Sequence, residues 1–75
     1  MKIQYEVITE ERVLEGIRYI AYGILIQDEN TDTVIRKISD ISLDYDEIRK
    51  LVALCNIHSL SVEHIEDIVQ DFLSV

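Results

Sequence analysis

One cysteine, two glycines, and no proline or tryptophan stand among the 75 residues, and most of these shortages exclude something. A lone thiol, Cys55, cannot build an internal disulfide framework, which argues against a small oxidised secreted scaffold. Gly16 and Gly23 are too few for a glycine-rich phosphate loop. Without proline, the turns must rely on Gly, Asn and Asp. The apolar runs are short and interrupted, so no transmembrane helix can be drawn. Met1-Lys2-Ile3-Gln4-Tyr5-Glu6 lacks the apolar stretch of a cleaved signal peptide. The expectation is one small cytoplasmic domain over residues 1–75, near the size at which burial only just offsets chain entropy.

Positive charge is also scarce. Seven basic residues against fifteen acidic ones give a net charge of −8. Nucleic-acid affinity needs Lys and Arg to neutralise phosphates, and anionic membranes need the same, so neither is expected as a partner. An acidic surface keeps a protein dispersed, and it can also receive a basic protein.

Hydrophobic residues make up 48% of the chain, and their spacing changes once along it. Residues 2–8 alternate, with Ile3, Tyr5 and Val7 opposite Lys2, Gln4 and Glu6, which predicts a half-buried strand. Residues 9–16 read as a connection, with Gly16 able to take a positive φ. Residues 17–27 are β-branched and aromatic on both faces, as a central strand would be. Residues 28–32 predict a hairpin loop with Asn30 in the left-handed position. Residues 33–38 then return as an edge strand carrying Arg36 and Lys37.

From Asp44 the period becomes 3.6. Asp44 followed by Glu47 resembles a capping box, and Ile48, Leu51, Val52 and Cys55 form the core stripe of a helix over 45–56. Asn56 is the expected terminator. Leu54 and Ile57 lie outside that stripe. Ser61 is the expected N-cap of a second helix over 62–73, with Leu60 and Ile65 in the positions of a hydrophobic staple. Ile65, Ile68, Val69, Phe72 and Leu73 form its apolar stripe. The fold class is therefore α+β: a three-stranded antiparallel meander followed by two helices packed on one face, in the order β-β-β-α-α.

Only one face of that sheet can meet the helices. The central strand offers Ile20, Tyr22, Ile24 and Ile26 on one side and Ile17, Tyr19, Ala21 and Leu25 on the other. An exposed second set would be an apolar patch of the kind monomers avoid, so Ile17, Tyr19, Ala21 and Leu25 are the candidate face of a homodimer.

Candidates for chemistry are few. Cys55 and His58 are three residues apart on a helix, but no orienting group or oxyanion site accompanies them, and Cys55 sits on the core stripe. Cys55, His58, His64 and Asp67 lack the paired spacing of a structural zinc site. No catalytic residue, metal or cofactor is assigned. A helix-turn-helix reading would present the carboxylates of Glu63, Glu66, Asp67 and Asp71 to DNA without one cation. Those four residues instead form a candidate docking face for a basic protein. The chain reads best as a non-enzymatic interaction or regulatory module. The alternative is a small-molecule or enzymatic site at a subunit interface, lined by Tyr5, Tyr19, Tyr22 or Tyr45 with converging polar groups.

The stretch Leu51-Val52-Ala53-Leu54-Cys55-Asn56, followed by Leu60-Ser61-Val62-Glu63-His64-Ile65-Glu66-Asp67-Ile68-Val69-Gln70-Asp71-Phe72-Leu73, resembles the C-terminal signature of a family of small bacterial proteins of unknown function. Tyr22-Gly23-Ile24 and the Asp-rich loop before the third strand are similar to the rest of that family. Where its pattern often places proline after the cap serine, this chain has Val62. The resemblance implies a small, single-domain cytoplasmic protein and carries over no catalytic residue.

Overall fold

The computed structural model describes residues 2–73. Three antiparallel strands, β1 (Ile3–Leu14), β2 (Ile17–Asp28) and β3 (Thr33–Ser42), form one sheet in the order β1-β2-β3. Helix α1 (Tyr45–Ile57), a 3-10 turn (Val62–His64) and helix α2 (Ile65–Leu73) follow. The α+β, β-β-β-α-α arrangement is the one the change of period predicts.

The first strand is far longer than expected. Residues 9–14 are strand rather than connection, and the β1–β2 register runs unbroken from Ile3↔Asp28 to Leu14↔Ile17. Thr9-Glu10-Glu11-Arg12 has the polarity of a loop, but each residue finds a cross-strand partner in β2: Tyr22, Ala21, Ile20 and Tyr19 in turn. The whole connection is Glu15-Gly16, with φ of 51° and 78°. Positive φ at both central residues is what the two-residue hairpin turn matching strand twist requires.

In the second hairpin the left-handed residue is Asp32, with φ of 56°, and not Asn30. The Asn30 N–H instead donates to Asp28 Oδ1 at 3.0 Å, a side-chain turn that leaves the left-handed position further on. Strand β3 continues beyond residue 38 to Ser42, and its register against β2 slips twice, between Tyr22 and Ile24 and between Ile26 and Gln27. Gly23 sits at the first slip, where a Cβ would meet the Ile38 carbonyl and lie 3.1 Å from Ser39 Cα.

Tyr5, Ile24, Ile26, Ile41, Ile48, Leu51, Val52, Cys55, Ile65 and Val69 form one buried core between the sheet and the helices. The helices thus cover the face of Tyr22, Ile24 and Ile26, while Ile20 of the same set stays exposed. The α1 stripe Ile48, Leu51, Val52 and Cys55 is buried as its spacing predicts. In α2, Ile65 and Val69 are buried and Ile68 and Phe72 pack against them, but Leu73 is exposed.

The caps depart from expectation in detail. Asp44 Oδ1 accepts from the Asp46 and Glu47 N–H groups at 2.9 and 3.3 Å. The reciprocal bond of a capping box is replaced, because the Asp44 N–H donates to Ser42 Oγ at 3.0 Å. Ser61 makes no side-chain cap bond. Its carbonyl accepts from the His64 N–H, so the second helical segment opens as the tighter 3-10 turn. Asn56 does not end α1; His58 is the C-cap, and Ser59 takes φ of 48°.

Candidate functional site

Asn56 is held inside the helix for another purpose. Its Oδ1 accepts from the Tyr5 N–H at 2.9 Å, and its Nδ2 donates to the Tyr5 carbonyl at 2.9 Å. The amide side chain therefore pairs with the outer edge of β1 as a neighbouring strand would. Tyr5 completes the junction by donating its hydroxyl to the Leu60 carbonyl at 2.6 Å. Sequence patterning missed this pair, 51 residues apart, since an asparagine near a helix end reads first as a terminator.

Beyond this junction the sheet outruns its helices. The helix layer reaches Tyr22, whose ring meets that of Tyr45 edge-on at 5.4 Å. From there the β1–β2 hairpin continues to the Glu15-Gly16 turn, and the molecule measures 42 Å along its longest axis against 28 and 19 Å. A twelve-residue antiparallel strand spans about 40 Å, so the hairpin runs the length of the protein. Its far half is an arm with apolar residues in solvent: Val13 is 63% exposed, Leu14 65%, Ile17 69% and Ile20 46%.

The sheet face away from the helices is not the bare patch expected. Of its four candidate residues, Ile17 is exposed, Tyr19 and Leu25 are half-buried, and Ala21 is fully buried. Leu25 lies between Glu6 and Lys37 in the strand register. Beside Ala21, Glu10 Oε2 gathers Ser39 Oγ at 3.4 Å, Lys37 Nζ at 3.5 Å and Arg12 Nη1 at 3.7 Å, while Arg12 Nε lies 3.8 Å from Asp40. Two of these five residues, Glu10 and Arg12, come from the stretch assigned to a connection. Glu10 Oε1 is buried with no hydrogen-bond partner among the described residues.

The acidic face of the second helical segment is exposed at Glu63, Glu66, Asp67 and Asp71. It is not free of cations, however. Arg36 of β3 reaches across to bond Glu66, so the tertiary structure supplies a positive partner absent from the helix itself.

The remaining candidates for chemistry lie apart. Cys55 is buried, and burial pushes its thiol pKa up, away from the reactive thiolate. His58 three residues on is exposed. Among the described residues, no three His, Cys, Asp or Glu side chains gather as a metal would need. Of the tyrosines, Tyr22 and Tyr45 meet ring to ring, while Tyr5 is in the core, where burial and then the nearby Cys55 raise its phenol pKa. A cleft of about 600 Å³ lies between the start of β1 and the link from α1 to α2, with Lys2, Gln4, Glu29, Asn56 and Glu63 in its wall, and no tyrosine lines it.

The whole chain, residues 1–75, matches a family of unknown function, DUF6514. It belongs to that family. No curated protein and no solved structure matches it. Membership spans the arm, the Asn56 junction and both helices alike, and it assigns no activity to any of them. Among the described residues no helix is long and apolar enough to cross a membrane.

Proposed function

We propose that this DUF6514 protein is a non-enzymatic interaction or regulatory module of the cytoplasm that works as a homodimer. The observation that carries the reading is the projecting arm, whose Val13, Leu14, Ile17 and Ile20 side chains stand in solvent. In a chain of 75 residues, an apolar surface beyond the reach of its own helices favours association. The arm replaces the mid-strand set as the dimer surface: Ile17 belongs to both, while Ala21 is buried within the chain.

Glu63, Asp67 and Asp71 remain the candidate docking face for a basic protein partner, with Glu66 engaged by Arg36. Such a field speeds encounter with a positive surface more than it deepens affinity. Light scattering of the intact protein at tens of micromolar should give about twice the 8.7 kDa chain mass; a monomer there refutes the dimer. Reversing Glu63, Asp67 and Asp71 to lysine should remove basic proteins captured by the intact chain from native extract. An unchanged capture profile would reduce this face to a solvated surface.

A further inference from the structure

The two outer edges of the sheet are treated differently. Strand β3 carries Arg36, Lys37 and two register slips, devices that discourage pairing with another strand. Strand β1 is twelve residues long, without bulge or proline, and Asn56 covers its edge only at Tyr5. Tyr5 turns its N–H and C=O outward, so by strand alternation Thr9, Glu11 and Val13 do the same. Among the described residues those outward groups have no hydrogen-bond partner, and all three residues are exposed.

We propose that this edge is completed by a second copy of the chain, with residues 8–14 of the two β1 strands paired antiparallel about a two-fold axis at Glu11. The proposal rests on the dimer reading above and gives it a structure. Two three-stranded sheets join into one of six strands, with about six new backbone hydrogen bonds from Thr9, Glu11 and Val13. Charge and shape choose the second copy over an arbitrary strand, because the segment is complementary to itself. In this register Ile8 faces Leu14 of the other copy, Thr9 faces Val13, and Glu10 faces Arg12, each pair occurring twice.

Glu10 is the residue whose Oε1 lacks a partner in the single chain. Only Glu11 meets its own copy, and Arg18 Nη1 at 3.5 Å already attends each Glu11. A two-fold at Glu10 is worse matched, setting Glu10 against itself and Ile8 against Arg12. Like charges directly opposite destabilise a pair of strands, whereas opposite charges and apolar pairs stabilise it. Asn56 closes the edge just past this segment, and so limits it to one strand of this length.

The test uses the full chain and three variants, with dimerisation followed by light scattering across concentration. Glu10→Arg alone sets Arg against Arg, and Arg12→Glu alone sets Glu against Glu, so each should weaken self-association at least about tenfold. Mixed one to one, they restore both pairs between chains, and a heterodimer of native affinity should form. Glu11→Pro removes an outward N–H without touching the β1–β2 ladder, and it should yield a folded monomer by circular dichroism. In the wild type, the Thr9, Glu11 and Val13 amides should gain exchange protection as concentration rises.

A wild-type dimer unaffected by Glu11→Pro, or variants that fail to recover on mixing, would overturn edge pairing while leaving a dimer of another kind. A wild type monomeric at all concentrations would overturn both readings.

Discussion

Replacing Asn56 by alanine tests whether one side chain fastens the helix layer to the sheet. Asn56 lies toward solvent at the end of α1, where most substitutions change stability by less than about 0.5 kcal/mol. Its two bonds to Tyr5, both 2.9 Å, make it an exception. Each is worth about 1 kcal/mol net, and removing Asn leaves the Tyr5 donor and acceptor for water to satisfy at an edge beside the core. Alanine returns about 0.5 kcal/mol through its better helix propensity. The balance is a loss of about 1.5 kcal/mol, or about 9 °C in Tm at about 6 °C per kcal/mol for a domain of this size.

Calorimetry gives the first measurement, and hydrogen exchange gives the specific one. The Tyr5 amide should be protected in the wild type and should exchange far faster in Asn56→Ala, with core amides of β2 slowed or hastened only in step with global stability. Asn56→Asp keeps the acceptor but loses the donor and sets a carboxylate against the Tyr5 carbonyl, so it should be at least as costly at neutral pH. A Tm within about 2 °C of wild type, together with an unchanged Tyr5 amide, would refute the reasoning.

Other perturbations have signs set by the structure. Glu15→Asn should raise stability by about 0.5–1 kcal/mol in thermal unfolding, because Asn tolerates the positive φ that Glu15 adopts in the two-residue turn. Gly23→Ala should cost about 3 kcal/mol or prevent folding, since its Cβ would strike the Ile38 backbone; Gly16→Ala, with open space around it, should cost only about 1 kcal/mol from its φ of 78°. Burial raises the pKa of both Cys55 and Tyr5, so the unfolded chain gives up these protons first. Stability should fall as pH rises above the ordinary thiol value of 9.0 and phenol value of 10.0, and Cys55→Ala should flatten the thiol part of that decline in denaturant titrations. Cys55 in the folded protein should also react with a thiol reagent far more slowly than after unfolding, and equal rates would contradict its burial.

Local pattern by itself determined the element types and their order here. The helix stripes of Ile48-Leu51-Val52-Cys55 and Ile65-Ile68-Val69-Phe72 are periodic, and periodicity needs no knowledge of a partner. The Asp44 cap and the strands starting near Ile3 and Ile17 were legible for the same reason: their signals lie within a few residues of one another. Residues 9–14 were not, because a polar stretch becomes strand only when Leu14 through Thr9 find Ile17 through Tyr22 opposite them. Only the tertiary structure brought Arg36 to Glu66 and gave Asn56 to the edge of β1. It also buried Ala21 while leaving Ile20 exposed, and carried the hairpin beyond the helices. Those features join residues 30 to 51 positions apart, or depend on where a helix layer stops. No local spacing encodes either, and the point at which the helix layer stops is what leaves the arm free for the association proposed.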